Sequence, residues 1–132
     1  MTWAVLEGRD TIPVSMIIAD DGEVDSGPIV LQRVLKLTGY ELSPELRQMQ
    51  AEITKTMCRE IASQKFAPEP IPQTGTPSFL PRRRPEDSEL DMNKTLLEQF
   101  NLLRVVDNER YPAFFFFNGR KYIVKIFKES ET

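Results

Sequence analysis

The sequence predicts an α+β fold, and three stretches carry that prediction. Phe114-Phe115-Phe116-Phe117 is followed directly by Asn118-Gly119, and an Asn-Gly pair between apolar runs is the strongest short-range signal for a β-hairpin with a type I′ turn. Leu46, Met49, Ile53, Met57 and Ile61 recur at spacings of three and four behind Ser43-Pro44-Glu45, the pattern of an amphipathic helix with its start signal. Residues 66–91 hold six of the ten prolines, which removes donors and favours extended backbone over helix or interior strand. The expected order is an N-terminal strand pair, two helices, an extended proline-rich arm, a short helix, and a C-terminal three-stranded antiparallel meander ending in the hairpin. Three segments result: 1–65, the arm 66–91, and 92–132, the first and last expected to share one domain.

Trp3-Ala4-Val5-Leu6 and residues 12–19 read as short strands separated by a turn at Gly8-Arg9-Asp10. Pro13 cannot donate to a ladder, which suggests an edge position. An acidic loop follows, Asp20-Asp21-Gly22-Glu23-Val24-Asp25-Ser26-Gly27. Asp25 or Ser26 as cap, Pro28 in the first turn and Ile29, Val30, Leu31, Val34, Leu35 and Leu37 predict a helix that stops at Gly39. The second helix opens with Ser43 as cap, Pro44 at its first position and Glu45 near the positive end of the dipole. Its apolar stripe runs to about residue 64.

In the arm, Phe66, Ile71, Phe79 and Leu80 are spaced like anchors on a surface, and a long segment without regular structure is generally functional or disordered. Residues 90–100 predict a third helix, 102–106 a strand, and Asp107-Asn108-Glu109-Arg110 a turn. With Asn118 and Gly119 as the hairpin loop, Phe117 pairs with Arg120, Phe116 with Lys121, Phe115 with Tyr122, Phe114 with Ile123 and Ala113 with Val124. Alternation then places Phe115, Phe117, Tyr122 and Val124 on a core face, and Phe114, Phe116, Lys121, Ile123, Lys125 and Phe127 on the other.

A length of 132 residues fits one domain. The 28% charged residues and net charge of −3 are those of an ordinary soluble protein. Neither a bilayer-spanning run nor a secretory signal is visible, so a cytoplasmic setting is expected, with the nucleus or a virion as alternatives and no membrane partner. Cys58 is the single cysteine, which excludes an intrachain disulfide and a cysteine-based zinc site. Histidine is absent. Triads of Ser-His-Asp type and Cys-His dyads are thereby excluded, and with them the usual general base. These exclusions favour a protein that is not an enzyme and carries neither cofactor nor metal.

Four constellations bear on chemistry. Placing Asp21, Glu23 and Asp25 at the first positions of a calcium loop puts Ser26 where glycine is needed and Gln32 where a bidentate Glu is needed, so a solvated turn at a helix start is the better reading. Arg82-Arg83-Arg84 could meet phosphate or an acidic surface, but Glu86, Asp87, Glu89 and Asp91 follow at once. Cys58, beside the stripe of the second helix, reads as a buried, inert thiol. Phe114 and Phe116, flanked by Lys121 and Lys125, suggest either a protein-binding face or a stacking platform for unpaired bases. The sequence therefore favours a non-enzymatic interaction or assembly protein, a small subunit of a larger and possibly viral complex. Its candidate contact residues are Phe79, Leu80, Arg82, Arg83, Arg84, Phe114, Phe116, Lys121 and Lys125, and its partner is another protein chain. The alternatives are single-stranded nucleic-acid binding through Phe114, Phe116, Lys121, Lys125 and the three arginines, and a small enzyme working with carboxylates or lysine.

Overall fold

The computed structural model describes residues 1–19, 24–63 and 69–129. Three helices, a 3-10 turn and two separate two-stranded antiparallel sheets make up these residues, so the α+β class holds. The chain divides into one unit formed by Met1–Asp10, Thr38–Leu46 and Leu80–Thr132, and another formed by Thr11–Leu37 and Arg47–Phe79.

In the second of these units, strand β1 (Thr11–Ile17) pairs with β2 (Ile29–Lys36) from Thr11 opposite Lys36 to Met16 opposite Leu31, and slips between Met16 and Ile17. The helix expected after Pro28 is thus a strand. Leu31 and Leu35 are buried while Gln32, Arg33, Val34 and Lys36 are exposed; in a strand Leu31 and Leu35 share a face that Val34 does not, a distinction that the three-and-four spacing of Leu31, Val34 and Leu35 conceals. β-Branched Ile29, Val30 and Val34 add the local preference. Ile71 extends the pairing, exchanging both backbone hydrogen bonds with Ile29 at 2.8 Å. Helix α2 (Ser43–Ala62) starts where expected. The Leu42 N–H donates to Glu45 Oε2 at 2.8 Å, satisfying a donor that the helix itself leaves open. Leu46 and Met57 of the stripe are buried, whereas Cys58 is exposed and the expectation of a buried thiol fails. One position beyond Met57, it has rotated off the apolar face.

In the other unit, Trp3-Ala4-Val5-Leu6 lie in helix α1 (Thr2–Leu6), not in the expected strand. An apolar run of four residues has no period to read, and α1 packs against α3 (Phe100–Val105) with Val5 fully buried. The expected helix over 90–100 and strand over 102–106 are likewise replaced, by turns followed by α3. Side chains take over the backbone bonding here. Gln99 Nε2 donates to the carbonyls of Asp91, Lys94 and Thr95, Thr95 Oγ1 accepts from the Glu98 N–H, and Asp91 Oδ1 accepts from the Asn93 N–H. The meander is consequently a two-stranded hairpin, β3 (Ala113–Phe117) and β4 (Arg120–Val124), in the expected register. Asn118 and Gly119 have φ of 48° and 73°, the left-handed values of a type I′ turn.

Burial on the hairpin departs from the expected faces. Ala113 and Phe114 are buried, Phe115 is half-buried against Tyr122, and Phe116 and Phe117 are half-exposed. The chain at Glu89 and Leu90 lies alongside β3 at Phe114, with the Leu90 N–H donating to the Phe114 carbonyl at 2.6 Å. That cover stops at Phe114, and the tip beyond it projects. Leu90, Leu103, Val106 and Ala113 form the buried cluster of this unit, with Phe100, Phe115, Val124 and Ile126 against it.

Candidate functional site

The three arginines line a cleft of about 540 Å³ together with Trp3, Pro81, Pro85, Asp87 and Tyr111. Sequence proximity alone does not make this cleft. The Trp3 indole donates to the Pro81 carbonyl at 3.1 Å, tying α1 to the start of the arginine run. Pro85–Ser88 then forms a 3-10 turn. Its first residue has no N–H to satisfy, Asp87 Oδ2 accepts from the Arg84 N–H at 2.6 Å, and the Asp87 N–H donates to the Arg84 carbonyl at 3.1 Å. Arg83 Nη2 donates to the Asp87 carbonyl at 2.8 Å. Burial pulls the Arg83 guanidinium below its usual pKa, against the raising effect of Asp87. Among the described residues, no side chain pairs with the guanidinium groups of Arg82 or Arg84.

A second pocket, of about 350 Å³, lies in the other unit and is lined by Ser15, Ile17, Asp25, Ile29 and Gln73. Asp25 has φ of 61°, a left-handed conformation that Asp adopts more readily than most side chains. Two contacts hold it there. Gln73 Nε2 donates to the Asp25 carbonyl at 2.8 Å and to the Gly27 carbonyl at 2.6 Å. Gly27 packs so closely that a Cβ would sit 1.8 Å from the Ile18 carbonyl oxygen. The Asp25 residue is exposed, and its carboxylate pairs with no described residue. Asp20, Asp21 and Glu23 of the same loop lie outside the described residues. Among the described residues, no three His, Cys, Asp or Glu side chains are grouped to hold a metal ion.

The remaining candidates do not converge on either pocket. Phe79 and Leu80 are exposed rather than anchored, and Phe66 lies outside the described residues. Lys121 Nζ sits 3.7 Å from the centre of the Phe114 ring, which is buried and therefore closed to stacking by a base. Phe116 meets the Phe114 ring edge-on at 5.8 Å, and Lys125 pairs with Glu109 at 2.8 Å. Phe114 is a core residue, not a contact residue. Sequence reasoning missed Trp3, Tyr111 and Asp87 at the first pocket and Gln73 and Gly27 at the second. Only Asp25-Ser26-Gly27-Pro28 carried a local signal, and it was read as a helix cap.

No protein-family model matches the chain. It is 28% identical over 106 residues to the methionyl-tRNA formyltransferase of Thermodesulfovibrio yellowstonii, a match covering 77% of this chain and 33% of that protein. To the methionyl-tRNA formyltransferase of Pelotomaculum thermopropionicum it is 26% identical over 129 residues, 96% of this chain and 40% of that protein. The chain thus spans a third to two-fifths of the length of these curated relatives. Among solved structures, methionyl-tRNA formyltransferase from Clostridium thermocellum superposes with a TM-score of 0.76 at 24% identity, over 98% of this chain and 56% of that one. A 4-N formyltransferase from Francisella tularensis gives 0.63 at 20% identity, over 98% and 56%. The chain has the fold of the matching part of these enzymes. Both curated relatives and these two solved structures are named as formyltransferases, which overturns both the expected non-enzymatic assembly role and its possibly viral setting. The nucleic-acid-binding alternative loses Phe114 as a stacking surface, because that ring is buried. Among the described residues, no helix is long and apolar enough to cross a membrane.

Proposed function

We propose that the chain works in formyl transfer to an amino nitrogen, with Asp25 accepting the proton that the nitrogen loses. Near-complete coverage of the chain by a methionyl-tRNA formyltransferase, in sequence and in fold, is the observation that carries this reading. The chemistry needs few groups. The amine attacks the formyl carbon, a new C–N bond forms, the bond from formyl carbon to donor breaks with its electron pair going to the donor atom, and the proton that leaves the nitrogen for a base passes on to that donor atom. Without histidine, that base has to come from another side chain. Asp25 supports the role because it is an exposed carboxylate beside a pocket, on a backbone held by Gln73 and by the close approach of Gly27 to Ile18. Ser15 is fixed beside it, accepting a hydrogen bond from Gln32 Nε2 at 2.7 Å. A cytoplasmic setting belongs to this reading.

The test is made in the source organism. Replacing Asp25 by Asn keeps the size of the side chain and removes the base, and loss of a positioned general base costs about 10² to 10⁴ in rate. Mass spectrometry of N-formylated species, formyl-methionyl-tRNA and formylated amino sugars included, is expected to show one species depleted in both a deletion strain and Asp25→Asn. An unchanged inventory in the deletion strain would refute formyl transfer. Depletion in the deletion strain alone would keep the reaction and remove Asp25 from it.

A further inference from the structure

We infer that the arginine cleft is a binding site for a nucleoside diphosphate, with the guanidinium groups of Arg82 and Arg84 taking one phosphate each and the base lying against Trp3 and Tyr111. The inference stands on the cleft alone and does not rest on the formyl-transfer reading. Three guanidinium groups and one carboxylate line a volume of about 540 Å³, within the usual range for small-molecule sites. Their roles differ. Arg83 is spent on the Asp87 carbonyl, and Asp87 itself on the Arg84 N–H. Both are scaffold for the turn. Arg82 and Arg84 are exposed, without acidic partners among the described residues, and project from a backbone fixed on either side by Pro81 and Pro85. Planar guanidinium forks match phosphate oxygens in pairs.

The aromatic walls point to a ring beside those phosphates. Trp3 has its only donor engaged by the Pro81 carbonyl, so the indole offers a fixed, partly exposed surface. Tyr111 is 41% exposed on the same cleft, with its backbone held by Ser88 Oγ and by the Asp107 carbonyl. Stacking on aromatic side chains is how proteins take nucleobases of any sequence. A polynucleotide fits less well. Glu86, Glu89 and Asp91 follow the arginines, and the chain carries a net charge of −3, so phosphates running on beyond the cleft would meet carboxylates.

Trp3 is the only tryptophan, and its fluorescence reports on the cleft directly. The full chain is titrated with ADP, UDP, adenosine, inorganic pyrophosphate and a short single-stranded RNA. ADP and UDP are expected to quench Trp3 saturably, with adenosine and pyrophosphate each at least about tenfold weaker. Arg82→Ala and Arg84→Ala, both at exposed side chains, should each weaken ADP about tenfold while leaving the melting temperature unchanged. Four results would overturn the assignment: no quenching at millimolar nucleotide, pyrophosphate binding as tightly as ADP, RNA binding more tightly than ADP, or ADP affinity indifferent to both arginine variants.

Discussion

Replacing Glu41 by Gln is expected to destabilise the chain by about 3 kcal/mol at pH 7, and the structure supplies that figure twice. Glu41 and Arg104 form an ion pair of 2.9 Å between side chains that are 8% and 4% exposed. Burial by itself would raise the pKa of this carboxyl. Hydrogen bonds from Thr38 Oγ1 and N at 2.5 and 2.6 Å and from the Gly39 N–H at 3.1 Å outweigh it, and bring the pKa from 4.5 down to about 2. Arg104 Nη2 donates to the same carboxylate, and its other donors are engaged by the Glu41 carbonyl and Asn101 Oδ1. At 1.36 kcal/mol per unit, the depression amounts to about 3 kcal/mol. Independently, stranding one partner of a buried pair costs about 3 to 5 kcal/mol. Because the folded value lies below the unfolded one, this stability is present above pH 4.5 and is lost as pH falls toward 2. Urea unfolding followed by Trp3 fluorescence measures the gap between wild type and Glu41→Gln. It should be about 3 kcal/mol at pH 7 and close to half that at pH 3. A gap below about 1 kcal/mol at pH 7, or one that does not change between pH 5 and pH 3, would refute the reasoning.

Gly27→Ala should destabilise the β1–β2 pair by several kcal/mol, because its Cβ would fall 1.8 Å from the Ile18 carbonyl oxygen; a melting temperature equal to wild type would contradict that contact. Phe114→Ala should cost about 3 to 5 kcal/mol and Phe116→Ala less than about 1 kcal/mol in urea unfolding, since one ring is 4% and the other 50% exposed. Equal losses would mean that the hairpin tip is covered as well as its base. Asn118→Ala should cost about 1 to 2 kcal/mol, the left-handed penalty at φ of 48°, and Asn118→Gly should cost nothing measurable by the same assay.

What the sequence made legible follows from the range over which the determining contacts act. The hairpin register rests on two adjacent residues, and every pair from Phe117–Arg120 to Ala113–Val124 forms as the alternation demands. Helix α2 rests on a stripe of more than four turns and a start signal, and it too forms in place. Where a segment was short, tertiary contacts decided. Residues 3–6 are apolar on every face and become helix because α3 offers a surface for Val5. Residues 29–36 carry both a helical and a strand period, and pairing with β1 and Ile71 selects the second. The face assignment of the phenylalanines failed for the same reason. Alternation says which residues share a face, but the segment at Glu89 and Leu90 decides how far along β3 that face is covered.

The candidate sites lay further out of reach, because each is assembled across long stretches of chain. Trp3 and Pro81 are 78 positions apart, Gln73 and Asp25 are 48, and no local pattern announces either meeting. The absence of histidine rules out imidazole as base or ligand, yet it says nothing against a reaction whose only proton can pass to a carboxylate. What matters for such a reaction is which carboxylate the backbone holds still. In the proposed reading that carboxylate is Asp25, whose backbone at φ of 61° is fixed by a glutamine amide and by the close approach of Gly27 to Ile18. Its three lower-numbered acidic neighbours suggest metal binding by composition, whereas the hydrogen bonds from Gln73 hold the backbone of one carboxylate-bearing residue beside a pocket.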